Sequence, residues 1–283
     1  MLNFDVVVIG LGPCGISCGI YLKRYGHNVS LVGLDNTSLN KAYLIENYYG
    51  IEKISGKDLF DIGLKQAMNL NIPIYKEEVI DIEYISKDNF IVKTSSNEFN
   101  TKRIVLALGS NKSGFKLADK YEGNGVSYCA TCDGFLYRKK KVALIGESLY
   151  MKHEYDVLSN IITNLTIFTN GRELSFNPSC PVVTEKIISF EGNERLEKII
   201  TENNEYLIDG AFIALGSQNA FTFAKHLGIA LDKDNYIVVD SSYKTNIDGI
   251  YAGGDVIKGQ HQVVTAASDG AKCALEISKS LKK

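Results

Sequence analysis

The sequence contains no apolar run of the roughly 18 residues that a membrane-spanning helix needs, which predicts a protein without a membrane span. Charge of one sign is not in excess either, because 31 Lys and Arg stand against 33 Asp and Glu, for a net charge of -2. This balance argues against a broad nucleic-acid surface. The N-terminal segment enters a strand pattern directly and lacks the features of a secretory signal, so we expect a cytoplasmic protein.

Cysteine is scarce, and neither solenoid-scale repeats nor low-complexity segments occur. Six cysteines among 283 residues do not suggest a structural disulfide framework. The content of 45% hydrophobic and 23% charged residues is typical of a globular protein and excludes a disordered, collagen-like or coiled-coil chain. At roughly 150 residues per domain, the length predicts about two domains.

The first motif of interest follows an apolar run at residues 4–9 that predicts a buried parallel strand. Gly10-Leu11-Gly12-Pro13-Cys14-Gly15 comes next, and a helix pattern then runs to about residue 25, before a second strand at residues 29–32. In this context the glycines predict a dinucleotide site: they allow a tight turn, close approach to a pyrophosphate and close helix packing. A purely structural turn is the alternative.

Acidic residues that could bind the sugar of a dinucleotide occur at two places. Gly33 stands where an acid would normally end the second strand, and Asp35 follows two residues later as a candidate. Asp255 follows a predicted strand at residues 249–252, where it could meet a sugar or ribityl hydroxyl. The N–H groups of the helix that begins near residue 262 could face an electron-rich ring.

The remaining pattern repeats the strand–helix order twice. The further predicted strands are 80–84, 89–94, 98–100, 102–108, 141–145, 165–169, 182–190, 196–201 and 205–215, with helices at 56–70, 149–162 and 262–281. We predict an α/β fold with two nucleotide-binding domains of the Rossmann-like, three-layer ββα type, the second inserted into the first. Residues 1–112 and 244–283 would form one domain, and residues 113–243 the other.

The segment Cys129-Ala130-Thr131-Cys132 is the candidate reactive centre. Two cysteines three positions apart can close a small disulfide, and a helix beginning there would lower the pKa of the first thiol. A zinc site needs a second ligand pair, and no second His or Cys accompanies the nearby His153 at the spacing of a zinc site, so we predict no metal. Asp133 is well placed to move a proton to or from the sulfurs, with a helix-capping acid as the alternative.

These motifs together resemble the low-molecular-weight thioredoxin reductases, which are FAD enzymes of the pyridine-nucleotide disulfide oxidoreductase type. The matching segments, in the family's order, are the glycine motif at residues 10–15, Glu46-Asn47-Tyr48-Tyr49-Gly50, Ala107-Leu108-Gly109, residues 129–134, Ala214-Leu215-Gly216 and residues 254–262. The resemblance implies FAD in the discontinuous domain, a homodimer and thioredoxin as a partner. It also implies that Cys132 faces the flavin, that Cys129 attacks the thioredoxin disulfide and that Asp133 acts as acid and base.

The resemblance further implies a set of FAD-binding residues. They are Gly10, Gly12, Pro13, Cys14, Gly15, Asp35, Asn47, Val79, Ala107, Gly109, Asp255, His261, Gln262 and Val263.

The second nucleotide motif departs from the family's Gly-x-Gly-x-x-Ala. Only Gly146 is kept, whereas Ser148 and Met151 stand at the second and third positions and Glu147 adds negative charge. The next strand ends in Phe-Thr-Asn-Gly at residues 168–171, where the family's His-Arg-Arg holds the NADPH phosphate. The resemblance therefore narrows to the ferredoxin-dependent flavin thioredoxin reductases, which have lost the pyridine-nucleotide motifs, and implies ferredoxin as electron donor.

Three other interpretations stay open. The chain could be an NAD(P)H-dependent thioredoxin reductase with a divergent coenzyme site, although the one remaining arginine, Arg172, does not rebuild the phosphate clamp. It could be a non-catalytic flavoprotein redox sensor, although such relatives usually lack the cysteine pair. It could also be a flavin oxidase that makes peroxide. The basic run at residues 138–141 could attract an acidic partner or simply be a solvated entry to a strand.

Overall fold

The computed structural model describes residues 1–35, 37–109, 115–128, 130–174, 176–215 and 220–282. They cluster into two compact units, which we call unit 1 (Met1–Lys112 with Asn219–Lys283) and unit 2 (Ser113–Gln218). The strands in chain order are β1 (Leu2–Ile9), β2 (Val29–Val32), β3 (Ile74–Tyr75), β4 (Val79–Ser86), β5 (Asn89–Thr94), β6 (Glu98–Leu106), β7 (Val126–Ser127), β8 (Lys141–Gly146), β9 (Asn164–Phe168), β10 (Val182–Val183), β11 (Ile187–Glu191), β12 (Lys198–Thr201), β13 (Glu205–Leu207), β14 (Gly210–Ala214) and β15 (Ile250–Ala252). The helices are α1 (Pro13–Arg24), α2 (Gly56–Asn69), α3 (Ala130–Asp133), α4 (Leu149–Leu158), α5 (Ala220–Leu227) and α6 (Val263–Leu281).

Unit 1 is built on a sheet with the strand order β3-β2-β1-β6-β5-β4, in which β15 also pairs with β6. The central strand β1 lies parallel to both β2 and β6, with Ile9 opposite Val32 and Leu106. Its last four residues are fully buried, which accounts for the continuous apolar run in the sequence. The turns after these parallel strands therefore meet at one edge of the sheet, and the predicted α/β fold is confirmed.

The segment predicted as two short strands, 98–100 and 102–108, is the single strand β6. Its residues pair on one side with β5 in antiparallel register, as Phe90 with Thr101. Further along the same side, Leu106 is opposite Ala252 of the parallel strand β15, and the other side of β6 pairs in parallel with β1. Because β6 joins the antiparallel hairpins to the parallel core, it has to be continuous.

Helix α5 was not predicted, and it changes the second domain boundary. Its side chains Phe223 and Ala224 are buried in the same core cluster as Phe90 and Val92 of β5, and α5 packs on β4. Residues 220–243 thus cluster with unit 1, whereas the sequence placed them in the inserted domain. The boundary lies earlier than position 243 because α5 packs against β4 and shares a core cluster with β5, and both strands are far away in sequence.

Unit 2 contains a five-stranded sheet of order β10-β9-β8-β14-β7 and a three-stranded sheet of order β11-β12-β13. The strand predicted at 205–215 is two strands, β13 and β14, which belong to different sheets. The extended segment is interrupted at Asp209. The Asp209 carboxylate accepts a hydrogen bond from the main-chain N–H of Lys141 at 2.8 Å, and the main-chain N–H of Asp209 donates to the Lys141 carbonyl. Both hydrogen bonds anchor the corner between the two sheets.

The predicted helices otherwise lie where the periodicity placed them. Helix α2 spans nearly the whole predicted segment, and α4 ends four residues before its predicted end at 162. Among the helices of the described ranges, none is both long and apolar enough to cross a membrane.

Candidate cofactor and redox sites

The turn after β1 is shaped by glycine. Gly10 has a φ of +121°, and a Cβ atom there would lie 2.1 Å from the main-chain oxygen of Ala107. A Cβ on Gly15 would lie 1.9 Å from the oxygen of Gly10, whereas one on Gly12 would meet nothing within 4 Å. The first and third positions thus permit backbone packing, and the second leaves open space in front of the helix.

This open space faces the N-terminus of α1. Gly12 is the N-cap residue and has no side chain to cap the helix, and Pro13 is the first helical residue. No acidic residue occurs in the first turn of α1. The N–H groups and the positive end of the helix dipole are therefore available to an anion such as a pyrophosphate.

Cys14 contributes to this turn through its backbone. Its side chain is buried, as are those of Cys18 and Cys273, and α6 approaches so closely that a Cβ on Gly270 would lie 2.0 Å from the Cys14 carbonyl oxygen. Burial raises the pKa of all three thiols well above the ordinary value. They are therefore protonated and unreactive at neutral pH.

Two groups lie in the loop that follows β2. The carboxylate of Asp35 is more than half exposed and pairs with the ammonium of Lys76 at 3.1 Å, an interaction weak enough to be rearranged by a ligand. The hydroxyl oxygen of Thr37 is buried and has no hydrogen-bond partner among the described residues. Since buried polar atoms are normally paired, Thr37 and the open turn at Gly12 fit a bound dinucleotide.

The C-terminal motif reaches the same edge of the sheet through β15. Asp255 lies in a short 3₁₀ turn after this strand, and a Cβ on the neighbouring Gly254 would lie 2.9 Å from the Cβ of Cys14. The fold thus brings Asp255 to the glycine turn. This convergence of two distant segments supports the interpretation of both as parts of one site.

Helix α6 begins beside the remaining predicted residues. Gln262 is its N-cap and forms a capping box with Thr265, Val263 being the first helical residue. The amide of Asn47 donates to the side-chain oxygen of Gln262 at 3.1 Å. His261 lies just before the cap, and its Nε2 atom is 3.4 Å from the Ile257 carbonyl oxygen.

The other three predicted cofactor residues lie along the strands that support this edge. Ala107 follows β6 and donates its N–H to the Ile9 carbonyl at 2.8 Å. Gly109 has a φ of +79°. Val79 opens β4 and is buried in the core cluster that includes Ile9 and Leu106.

The redox segment lies in unit 2. Cys129 and the side chain of Cys132 lie outside the described residues, as does Gly216, and the backbone of Cys132 is in helix α3. The carboxylate of the half-buried Asp133 accepts a hydrogen bond from the hydroxyl of Ser127 at 2.7 Å. In the described ranges no three His, Cys, Asp or Glu side chains form a group that could hold a metal ion.

The turn after β8 starts like the turn after β1. A Cβ on Gly146 would lie 2.1 Å from the main-chain oxygen of Ala214. Beyond this point side chains fill the turn, because the hydroxyl of Ser148 accepts the main-chain N–H of Met151 at 3.3 Å and caps α4. Met151, where the family has a small residue, is fully buried.

An ion pair also makes the turn after β8 less suitable for a phosphate. The carboxylate of Glu147 forms an ion pair with the guanidinium of Arg172. Its second oxygen is buried without a hydrogen-bond partner among the described residues. Asn170, where the family has a phosphate-binding Arg, accepts the main-chain N–H of Ile187 at 2.8 Å. The Arg172 guanidinium is thus neutralised by the Glu147 carboxylate, in the turn where the family binds a pyrophosphate.

Two residues beside the redox segment were missed from the sequence. Tyr150 and Glu154 of α4 are both 2% exposed, and the main-chain N–H of Ala130 donates to the Glu154 carboxyl at 2.7 Å. From sequence alone, a glutamate is expected to lie at the surface. Its spacing of four from Tyr150 and Leu158, which places it on the apolar face of the helix, is the signal that could have found it.

Comparisons with known proteins agree with this geometry. Residues 4–149 and 181–271 match the pyridine nucleotide-disulphide oxidoreductase family. A thioredoxin reductase of Helicobacter pylori is 32% identical to this chain, over 96% of it and 97% of the relative. The atypical thioredoxin reductase TRi from Desulfovibrio vulgaris Hildenborough has a TM-score of 0.91 at 30% identity and covers 99% of this chain and 98% of its own. A ferredoxin-flavin thioredoxin reductase from Clostridium acetobutylicum has a TM-score of 0.77 at 28% identity and covers 100% and 99%.

Two nucleotide-binding-type units and a cysteine pair are the features of a flavin-dependent disulfide oxidoreductase. The chain belongs to the thioredoxin reductases, within the pyridine nucleotide-disulphide oxidoreductase family. Proteins of this kind are FAD-binding flavoproteins, and the open turn of unit 1 is the part of the chain that fits the cofactor.

Proposed function

We propose that this thioredoxin reductase takes its electrons from reduced ferredoxin and does not use NAD(P)H. The observation that supports this most directly is the closed turn of unit 2. Ser148 caps the helix that would hold a pyrophosphate, and Glu147 neutralises the cation that would attract it. With the Arg172 guanidinium already paired and Ser148 in place of the second glycine, the turn offers a pyrophosphate neither an unpaired guanidinium nor open backbone, so NAD(P)H would bind weakly.

The residues around the first glycine turn would hold FAD. The N-terminus of α1 would bind the pyrophosphate, Asp35 and Thr37 would face the adenosine side, and Asp255 would face the ribityl chain. Bound FAD supplies the chemistry that a one-electron donor and a two-electron disulfide require, since flavins accept electrons singly and pass them on in pairs. Asn47, His261, Gln262 and Val263 would border the ring, with Val79, Ala107 and Gly109 in support.

The exit route would be the cysteine pair. Cys132 would receive electrons from the flavin side, and Cys129 would attack the thioredoxin disulfide. Asp133 would move the proton, and its hydrogen bond from Ser127 fixes the carboxylate next to Cys132 in the chain. We expect Cys129→Ser to keep FAD and to lose thioredoxin reduction.

The energetics permit a ferredoxin donor. Plant-type ferredoxins lie at about -400 mV and thioredoxin at about -270 mV. The gap of about 130 mV corresponds to ~6 kcal/mol for two electrons. The ferredoxin-flavin thioredoxin reductase from Clostridium acetobutylicum, which matches over the whole chain, provides a precedent for this donor on the same fold.

The basic run at residues 138–141 is a candidate docking region for an acidic carrier. Arg138, Lys139 and Lys141 are exposed, and Lys140 lies over the ring of Tyr137.

We also propose a cytoplasmic homodimer with a FAD-binding domain and an inserted redox domain. Light scattering on the FAD-loaded protein measures the oligomeric state.

The test of the donor is anaerobic. Oxidised, FAD-loaded protein is mixed separately with NADPH, NADH and reduced ferredoxin, and the flavin absorbance is followed in a stopped-flow instrument. We expect rapid bleaching with ferredoxin and little with either nicotinamide. Rapid, saturable bleaching by NADPH would establish the NAD(P)H-dependent alternative. Donor-driven reduction of thioredoxin without oxygen excludes the redox-sensor and oxidase interpretations.

A further inference from the structure

Helix α4 holds the backbone on both sides of Cys129. The carboxyl of Glu154 accepts the main-chain N–H of Ala130 at 2.7 Å. One turn earlier on the same helix face, the hydroxyl of Tyr150 donates to the main-chain oxygen of Tyr128 at 3.1 Å. Since Tyr128 and Ala130 are the chain neighbours of Cys129, the two hydrogen bonds bracket the thiol that we propose to attack thioredoxin.

Both side chains are buried, which makes these hydrogen bonds costly to break. Glu154 and Tyr150 are each 2% exposed, and Met151 and Leu158 beside them are fully buried. A hydrogen bond in such surroundings is shielded from water and stronger than one at the surface. If packing were the only role of position 154, an apolar side chain would fill it better, since a carboxyl is rarely buried without a polar task.

We propose that Glu154, together with Tyr150, is a positioning residue for the redox segment. It holds Ala130 so that Cys129 meets the thioredoxin disulfide in one geometry. This inference rests on the proposed role of Cys129 as the attacking thiol.

The reaction for which Glu154 would position Cys129 is a thiol–disulfide exchange. The Cys129 thiolate attacks one thioredoxin sulfur, the disulfide bond of thioredoxin breaks, and the departing sulfur takes up a proton. Cys132, as thiolate, then attacks the Cys129 sulfur, which releases reduced thioredoxin and leaves the Cys129–Cys132 disulfide. Attack needs near-linear alignment, and a misplacement of about 1 Å can cost on the order of 100-fold in rate.

The test uses a single turnover and needs no physiological donor. The FAD-loaded protein is reduced with dithionite, freed of excess reagent and mixed anaerobically with increasing concentrations of oxidised thioredoxin. We expect Glu154→Ala to lower the saturating rate between about 10-fold and 100-fold. The half-saturating concentration should change little, because the buried carboxyl does not contact a docking partner. Glu154→Gln keeps an acceptor oxygen and should restore the rate to within about threefold, as expected if geometry decides.

A matched control is Asp156→Asn, which removes the same charge from the same helix. Asp156 is exposed and pairs with Lys152 at 2.7 Å, so the rate should not change. Should Glu154→Ala fail to fold, Tyr150→Phe is measured together with Glu154→Gln. Tyr150→Phe removes the hydroxyl that donates to Tyr128 and keeps the Glu154 bond to Ala130, so it should lower the saturating rate by a smaller factor.

Two results would overturn the proposal. One is a full saturating rate in both Glu154→Ala and Tyr150→Phe. The other is a Glu154→Gln variant that folds but reacts as slowly as Glu154→Ala, because charge and not position would then matter. Cys129→Ser in the otherwise unchanged protein tests the exit route separately. If that variant still reduces thioredoxin, the proposed function fails whatever Glu154 does.

Discussion

The two strand–turn–helix segments of the chain begin alike and then diverge. In both, a Cβ on the first glycine, Gly10 or Gly146, would lie 2.1 Å from a main-chain oxygen of the neighbouring strand. At the second position Gly12 leaves open space, whereas Ser148 caps its own helix. At the third position Gly15 has no room for any side chain, and unit 2 instead buries a methionine there.

The difference separates what the fold requires from what the ligand requires. The first glycine lets the chain pass close to an adjacent strand, so it is needed whether or not a dinucleotide binds. The second position matters for a bound pyrophosphate, and the third for the close packing of the helix that faces it. A turn that no longer binds one can refill these positions with groups that stabilise the helix itself, as Ser148 and Met151 do.

The largest expected effect concerns Met151, the residue at the third motif position of unit 2, and tests whether the stability of unit 2 depends on it. Met151→Ala removes a fully buried side chain, and the cavity should lower the free energy of unfolding by about 2–5 kcal/mol. Met68→Ala is the matched control, because Met68 is 63% exposed on α2 and should change stability by about 0.5 kcal/mol at most. Denaturant melts followed by circular dichroism suit a chain with no tryptophan. Equal melts for the two variants would contradict the comparison.

The next prediction concerns the third position of unit 1. In a helix interior Gly→Ala normally stabilises by up to about 1 kcal/mol. At Gly15 the new Cβ would lie 1.9 Å from the Gly10 oxygen, so we expect a loss of about 1–3 kcal/mol. At Gly63 of α2 the nearest atom, the Ile16 Cδ1, would lie at an ordinary 3.5 Å, and the same substitution should stabilise the protein. A stabilised Gly15→Ala would show that the turn can open.

A smaller effect is expected at the second position, and it should appear in binding and not in folding. Gly12→Ala puts a Cβ into space that is open, so the apoprotein should lose about 1 kcal/mol at most. The same methyl would stand where the backbone approaches the pyrophosphate, and we expect the FAD dissociation constant to rise about tenfold, or about 1.4 kcal/mol. Titration of the apoprotein with FAD, followed by flavin fluorescence, measures this. Unchanged affinity would place the pyrophosphate elsewhere.

The parts predicted correctly from sequence depend on local patterns. The run ending at Ile9, the glycine spacing after it and the helix that follows lie within 25 residues, and their periodicity is legible without the rest of the chain. Helix α5 and the break at Asp209 were missed because each depends on partners distant in sequence, the strands β4 and β5 for the helix and Lys141 for the break.

The site residues show the same distinction between local sequence patterns and contacts between distant residues. The glycines and Asp255 were predicted from spacing and family pattern, and the fold brings them together at one edge of the sheet. The position of Glu154 on the apolar face of α4 could have been found from spacing, but its hydrogen bond from the Ala130 N–H could not, because no spacing rule links residues 24 positions apart. The closing of the second turn could be predicted from Ser148, whereas the pairing of Glu147 with Arg172 required the structure.

The smallest effect is expected at that ion pair. Arg172 is 62% exposed although Glu147 is only 13% exposed, so water screens the pair at the guanidinium and its contribution stays near the ~1 kcal/mol of an exposed pair. Glu147→Gln should therefore change the free energy of unfolding by about 1 kcal/mol or less, close to the result for Asp156→Asn, which breaks the exposed pair with Lys152. Its effect on nucleotides is more informative. Without the carboxylate Arg172 can attract a phosphate, but Ser148 still caps α4, so NADPH should bleach the flavin no faster than in the unsubstituted protein. If Glu147→Gln alone produced saturable reduction by NADPH, one charge would be the whole barrier, and the difference between the two turns would be electrostatic and not steric.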